Sequence, residues 1–248
     1  MLTHGSLFAG IGGFDLGFER AGIQSVWQVE IDEYCRSVLA KHWPSVQRFS
    51  DIRTVGKTNL ASVDVISGGF PCQDVSRAGL GAGLEGERSG LWREMYRVIC
   101  ELRPRVIVVE NVAALLDGEI GDVLRDLAAA GYDAEWRVLR ASDFGAPHTR
   151  ERVWIVAYPN KKYGQAWLGT EQDWTQQILT GCHRECLPIW LQTADRFIGM
   201  DDGVSAEIYR QRVGSLGNAI VPQIAEWIGR RIVEQNNALC VREVASGE

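Results

Sequence analysis

Short apolar, β-branched segments alternate with helix-periodic ones along the first 158 residues, and no other feature restricts the possible folds as tightly. Residues 3–8 read as a strand running into Ala9-Gly10-Ile11-Gly12-Gly13, and Phe14 to Ala21 is helix-periodic with Gly22 placed as its C-cap. Ser25 to Val29 reads as a second strand. It ends in Glu30-Ile31-Asp32, ahead of a helix reaching about His42. Val63 to Ser67 is a third strand, followed by Gly68-Gly69-Phe70-Pro71-Cys72-Gln73 and a glycine-rich stretch to Gly90. Leu91 to Leu102 is helical, and Arg105 to Val109 is a β-branched strand closing in Glu110-Asn111. A helix from Ile120 to Ala130 and strands at Ala134 to Leu139 and Val153 to Tyr158 complete the pattern. Alternation at this spacing implies an α/β fold built on a doubly wound, mostly parallel sheet. Such sheets bind ligands at the carboxyl ends of their strands. Gly10, Glu30, Cys72 and Glu110 each follow a predicted strand directly, so they should meet on one rim.

From Pro159 to about Phe197 the alternation gives way to Trp167, Trp174, Trp190, Lys161-Lys162 and many Gln and Thr residues, which reads as a small lobe. A helical pattern returns from Pro222 to Val233. The expected division is therefore residues 1–158, 159–200 and 201–248, the last packing back onto the first. No stretch approaches ~18 uninterrupted apolar residues, which argues against a membrane span. The N-terminus lacks the basic flank and apolar run of a secretory signal, so a cytoplasmic location is expected. The six cysteines are scattered in the manner of reduced thiols rather than a disulfide framework. A net charge of −6 does not exclude a nucleic-acid partner, because phosphate binding depends on local patches.

The glycine loop Phe8-Ala9-Gly10-Ile11-Gly12-Gly13 would let backbone amides approach a ligand at a helix N-terminus. Many such turns are only tight connections. Glu30 at the next strand end adds weight, since an acidic residue about 20 positions on is where a ribose is gripped. Asp51-Ile52 suits an adenine amino group and ring face, and the three features together point to an adenosine-containing cofactor. Cys72 follows a proline that fixes the backbone and glycines that allow close approach. It reads as a nucleophile where nearby positive charge favours the thiolate, or as a buried structural cysteine. Glu110 reads as a carboxyl group of raised pKa or as an ordinary capping acid. Arg150 and Arg152 share one face of an extended segment and could hold phosphate or a substrate ring; a solvated strand entry is the plainer alternative. Cys182-His183 with Cys186 lacks a second ligand pair, so no metal is expected.

Five elements in order carry a resemblance: Phe8-Ala9-Gly10-Ile11-Gly12-Gly13, Gly68-Gly69-Phe70-Pro71-Cys72-Gln73, Glu110-Asn111-Val112, Arg150-Glu151-Arg152-Val153 and Gly214-Ser215-Leu216-Gly217-Asn218-Ala219. Their succession resembles the C5-cytosine-specific DNA methyltransferase family over residues 5 to about 233, leaving 159–200 unmatched. The resemblance implies a Rossmann-like domain with a small target-recognition lobe, S-adenosyl-L-methionine as cofactor, and a cytosine flipped out of double-stranded DNA. It implies that Cys72 attacks C6, that Glu110 hydrogen-bonds the cytosine at N3 and its exocyclic amine, and that Arg150 and Arg152 lie near the nucleophile and the substrate backbone. Matching cofactor positions are Phe8, Ala9, Gly10, Gly12, Glu30, Ile31, Asp51, Ile52, Pro71 and Leu91, with Asn218 and Ala219 completing the pocket. His148 stands where the family usually has glutamine, and Ala219 where serine is common. The recognition region is short for the family. A monomer acting on DNA in a prokaryotic or phage-infected cytoplasm, with a possible cognate restriction enzyme, is the implied setting.

Three rival readings remain at this point. A dinucleotide oxidoreductase would use the opening loop but leaves Cys72, Glu110 and the arginine pair without roles. A tRNA cytosine methyltransferase shares nearly the whole motif set. A binding module without activity is disfavoured by the presence of Cys72, Glu110 and Arg152 together.

Overall fold

The computed structural model describes residues 1–71, 90–146, 148–159, 215 and 217–246, with 239–246 described by backbone alone. In chain order the main elements are β1 (Thr3–Leu7), α1 (Gly13–Arg20), β2 (Gln24–Val29), α2 (Glu33–His42), β3 (Gln47–Phe49) and β4 (Val65–Gly68). They continue with α3 (Gly90–Leu102), β5 (Val106–Val112), α4 (Ile120–Ala129), β6 (Tyr132–Arg140), β7 (Glu151–Pro159) and α5 (Pro222–Ser246). The strands form one seven-stranded sheet in the order β3-β2-β1-β4-β5-β7-β6. β1 to β5 are mutually parallel, and β7 runs antiparallel to both its neighbours. This is the expected doubly wound, mostly parallel sheet.

The apolar run in β5 shows why the sheet is covered on both faces. Ile107 and Val109 join one core with Trp92, Met95, Val98 and Ile99 of α3 and Val123 and Leu127 of α4. Val106 and Val108 join the opposite core with Phe14 and Phe18 of α1 and Ile224, Ala225, Ile228 and Ile232 of α5. A strand with apolar side chains at consecutive positions has no solvent face to offer, so helices must layer on each side. The contact between α1 and α5 is close enough to require glycine. A Cβ on Gly17 would sit 2.5 Å from the Ala225 Cβ and the Pro222 oxygen, and one on Gly229 would sit 2.8 Å from the Ala21 Cβ.

Several boundaries differ from expectation. β5 continues through Glu110 and Asn111 to Val112 because these residues pair with Trp154, Val153 and Arg152 of β7. The carboxyl group of Glu110 is thus carried by a strand and not by the turn after it. β3 was not anticipated: three residues at a sheet edge give too little periodicity to detect. Gly22 has φ +85 and donates its N–H to the Glu19 oxygen at 2.9 Å, the left-handed termination expected of it. Cys72 and the segment 159–200 expected to form a small lobe, including Cys182, His183 and Cys186, lie outside the described residues, apart from Pro159 at the end of β7. Among the described residues, no helix is long and apolar enough to cross a membrane, and no group of His, Cys, Asp and Glu side chains could hold a metal ion.

Candidate active site

The carboxyl rim of the sheet holds a cavity of about 600 Å³, within the range that takes small ligands. The loop after β1 forms one wall. Ala9 donates its N–H to the Val29 oxygen at 3.0 Å, and Gly12 closes a turn onto the Ala9 oxygen at 2.9 Å. Gly10 has φ +55, and a Cβ there would meet nothing within 4 Å, so glycine serves the backbone shape while its open side faces the cavity. Phe8 takes φ 53 without that freedom, a strain of about 1–3 kcal/mol that the surrounding wall must hold.

Glu30, beyond the end of β2, ties the next loop to the first. Its Oε2 accepts from the Gly10 N–H at 2.7 Å and its Oε1 from the Asp32 N–H at 2.8 Å. Asp32 in turn caps α2, accepting from the Cys35 N–H at 2.8 Å. Asp51 begins a short 3-10 turn, Ile52–Thr54, and accepts from the Arg53 N–H at 2.9 Å. Ile52 is buried, whereas Ile31 is 71% exposed. A large apolar side chain held in the open on a cavity wall suits a flat partner that covers it. With two carboxylates able to accept from hydroxyl and amino groups, this half of the cavity fits the adenosine part of a nucleoside cofactor.

The other half centres on Glu110, only 7% exposed. Because β7 is reversed, its first residues lie at the carboxyl rim of β5. Arg152, opposite Val112, is therefore a diagonal same-face neighbour of Glu110, which sits opposite Trp154. The Arg152 Nε lies 3.2 Å from Glu110 Oε1. Burial pushes the Glu110 carboxyl up to about 7, and the positive charges of Arg152 and Arg150 act against that rise. Asn111 donates from Nδ2 to the Phe70 oxygen at 3.0 Å, which fastens the loop after β4 beside Glu110. A Cβ on Gly69 would come within 3.2 Å of Glu110 Oε2, so that loop passes close to the carboxyl group. Arg150 donates to the Gly217 carbonyl, and its Nε is buried without a hydrogen-bond partner among the described residues.

Most of the residues singled out in the sequence share this cavity. Phe8, Ala9, Gly10, Glu30, Ile31, Asp51 and Ile52 line the first half, and Glu110, Arg150 and Arg152 the second. Pro71, Leu91, Asn218 and Ala219 also line it. Gly12 does not: it heads α1 at φ +89, and a Cβ there would sit 2.4 Å from the Trp43 ring, so packing explains this glycine. Cys72, the residue after Pro71, lies outside the described residues. Cys35, Ser50, Arg53, Asn111, Ser215 and Ile220 also line the cavity. For Cys35 the available signal was its place three residues after the Asp32 cap, which turns it toward the same end of α2. Its Sγ lies 3.6 Å from the Ser215 Oγ, a contact spanning 180 positions that no local pattern announces.

The C-5 cytosine-specific DNA methylase family model matches residues 2–187. The Type II methyltransferase M.Bsp6I of Bacillus sp. is 38% identical over 167 residues, 64% of this chain and 53% of that protein. M.NgoFVII of Neisseria gonorrhoeae is 37% identical over 157 residues, 61% of this chain and 42% of the relative. The chain thus matches about half the length of these curated relatives. Among solved structures, a candidate DNA modification methyltransferase from an E. coli prophage aligns with a TM-score of 0.56 at 27% identity, covering 64% of this chain and 47% of that one. The S. pombe Dnmt2 methyltransferase aligns with a TM-score of 0.57 at 21% identity, covering 71% and 54%, a likeness of fold. On the match to residues 2–187, the chain belongs to the C-5 cytosine-specific DNA methylase family.

Proposed function

We propose that this protein is a DNA (cytosine-5-)-methyltransferase that moves the methyl group of S-adenosyl-L-methionine to C5 of a cytosine in double-stranded DNA. The observation that carries the reading is the buried Glu110 carboxyl, paired with Arg152 across one cavity from the Glu30 and Asp51 carboxylates. A nucleoside-gripping half and a base-gripping half then share one space, as transfer between two bound molecules requires.

In the cofactor half, Glu30 and Asp51 would accept from the ribose and adenine, and Ile31 and Ile52 would hold the ring. When bound, S-adenosyl-L-methionine supplies an electrophilic methyl group. In the other half, Glu110 donates its proton to cytosine N3 and accepts from the exocyclic amine, while Arg152 holds Glu110 and the ring in register. Cys72 adds to C6 as a thiolate, and the displaced electron pair makes C5 nucleophilic. After methylation, the C5 proton passes to solvent water, the electron pair it leaves behind expels Cys72 as a thiolate, and N3 returns its proton to Glu110. C5 is inaccessible inside the base stack, so the target must be flipped out. Arg150, whose buried Nε has no hydrogen-bond partner among the described residues, suits the phosphate backbone near that base.

The family assignment and the Type II names of the relatives support a setting in a prokaryotic or phage-infected cytoplasm, beside a cognate restriction enzyme. Replacing Cys72 by Ala tests the chemistry. Transfer of labelled methyl groups to duplex DNA should disappear while affinity for S-adenosyl-L-methionine stays within about twofold; retained turnover would contradict covalent catalysis.

A further inference from the structure

We infer that Arg36 is a positioning residue for the cofactor half of the site, holding the Glu30-Ile31 turn in the shape that receives adenosine; this rests on the reading that the cavity binds S-adenosyl-L-methionine. Arg36 sits at the start of α2, where its backbone N–H donates to the Asp32 oxygen at 3.0 Å. Its half-buried side chain turns back along the helix. The Nη1 donates to the Glu30 carbonyl at 3.0 Å and to the Ile31 carbonyl. Both acceptors belong to the connection between β2 and α2, beyond the strand's last residue and before the helix's first, so neither lies in a sheet or helix ladder.

The turn is thereby fixed from two sides. The Glu30 carboxylate is held by the Gly10 and Asp32 amides, and the backbone behind it is held by one guanidinium group. Ile31 most needs the second attachment. At 71% exposure it has little packing of its own to fix its direction, so the orientation of its backbone decides where the side chain stands. Arg36 is not among the residues lining the cavity, and it acts on the ligand only through Glu30 and Ile31. A charged donor shared by two carbonyls resists reorientation better than water, which would replace it if the side chain were shortened.

The test compares the wild-type chain with Arg36→Met and Arg36→Lys. Titration calorimetry would use S-adenosylhomocysteine, and steady-state kinetics would use S-adenosyl-L-methionine with duplex DNA. Arg36→Met should raise Kd for S-adenosylhomocysteine, and KM for S-adenosyl-L-methionine, by about tenfold. kcat, KM for DNA and the unfolding midpoint should stay near wild type. Arg36→Lys, whose ammonium group can still serve both carbonyls, should recover most of the affinity. A Kd for Arg36→Met within about twofold of wild type overturns the inference while leaving the cavity reading intact. So does a joint loss of affinity and unfolding midpoint that Arg36→Lys fails to restore, because that marks a general structural role. Failure of the wild-type chain to bind S-adenosylhomocysteine removes the cavity reading and this inference together.

Discussion

The proposed chemistry turns on Glu110, a buried carboxyl group paired with Arg152. Its carboxyl group titrates near 7 because burial disfavours the charge more than Arg152 and Arg150 restore it. The protonated form is the one that can donate to cytosine N3, so kcat/KM should fall as pH rises through about 7. Glu110→Gln keeps a neutral donor and should remove that alkaline limb, with a rate lower by about 100-fold or more. A pH–rate profile of both proteins checks this. Linkage gives an independent readout. The folded chain holds the Glu110 proton more tightly than the unfolded chain does, so this group favours folding less as pH rises from about 4.5 to about 7. Glu110→Gln should flatten that part of the stability profile, as urea unfolding across the interval would show. Glu30→Ala should weaken cofactor binding, measured by calorimetry, because it frees the Gly10 and Asp32 amides and removes the proposed ribose acceptor. The sequence exposed Glu30 and Glu110 through their places at strand ends. It could not expose the 3.2 Å contact from Arg152 to Glu110, which depends on pairing between β5 and β7.

At the scale of elements, the direction of β7 decides which residues meet. A parallel strand would carry Arg150 and Arg152 to the opposite rim. Reversal brings them beside Glu110, and it follows from the antiparallel pairing of β6 with β7, not from any residue within β7. Sequence periodicity reveals that a strand exists but not which way it runs in the sheet, so the sequence alone leaves the arginine pair open to two readings. The same limit hid the buried polar chain across β2, β1 and β4, in which His4 Nε2 lies 2.7 Å from Ser67 Oγ and Ser25 donates to Asp15 at 3.0 Å. Contacts of that kind form between elements distant in sequence. The α1–α5 interface gives a direct test at this scale. Gly17→Leu must push a side chain into Ala225 and Pro222, and Gly229→Leu into Ala21 and Phe18. Each should cost about 1–3 kcal/mol in chemical denaturation. Since Asn218, Ala219 and Ile220 lead into α5 and line the cavity, cofactor affinity should fall with stability in both variants.

Among the described residues, helices cover both sheet faces and the cavity opens at the carboxyl rim, so two ligands would meet along one edge. The alternation of strands and helices was legible because the central strands are short apolar runs buried on both faces, whereas each helix buries one periodic face. Recognition of flanking bases is not legible in the same way, since it depends on how individual side chains meet groove edges. The proposed activity is transfer of a methyl group to C5 of cytosine in DNA. It is tested most directly by incubating the protein with labelled S-adenosyl-L-methionine and duplex DNA, with tRNA in parallel, then mapping 5-methylcytosine by bisulfite sequencing. Label should appear in duplex DNA, dependent on Cys72 and at cytosines within a defined sequence context. Label in tRNA but not in DNA, or label in DNA away from cytosine C5, would contradict it.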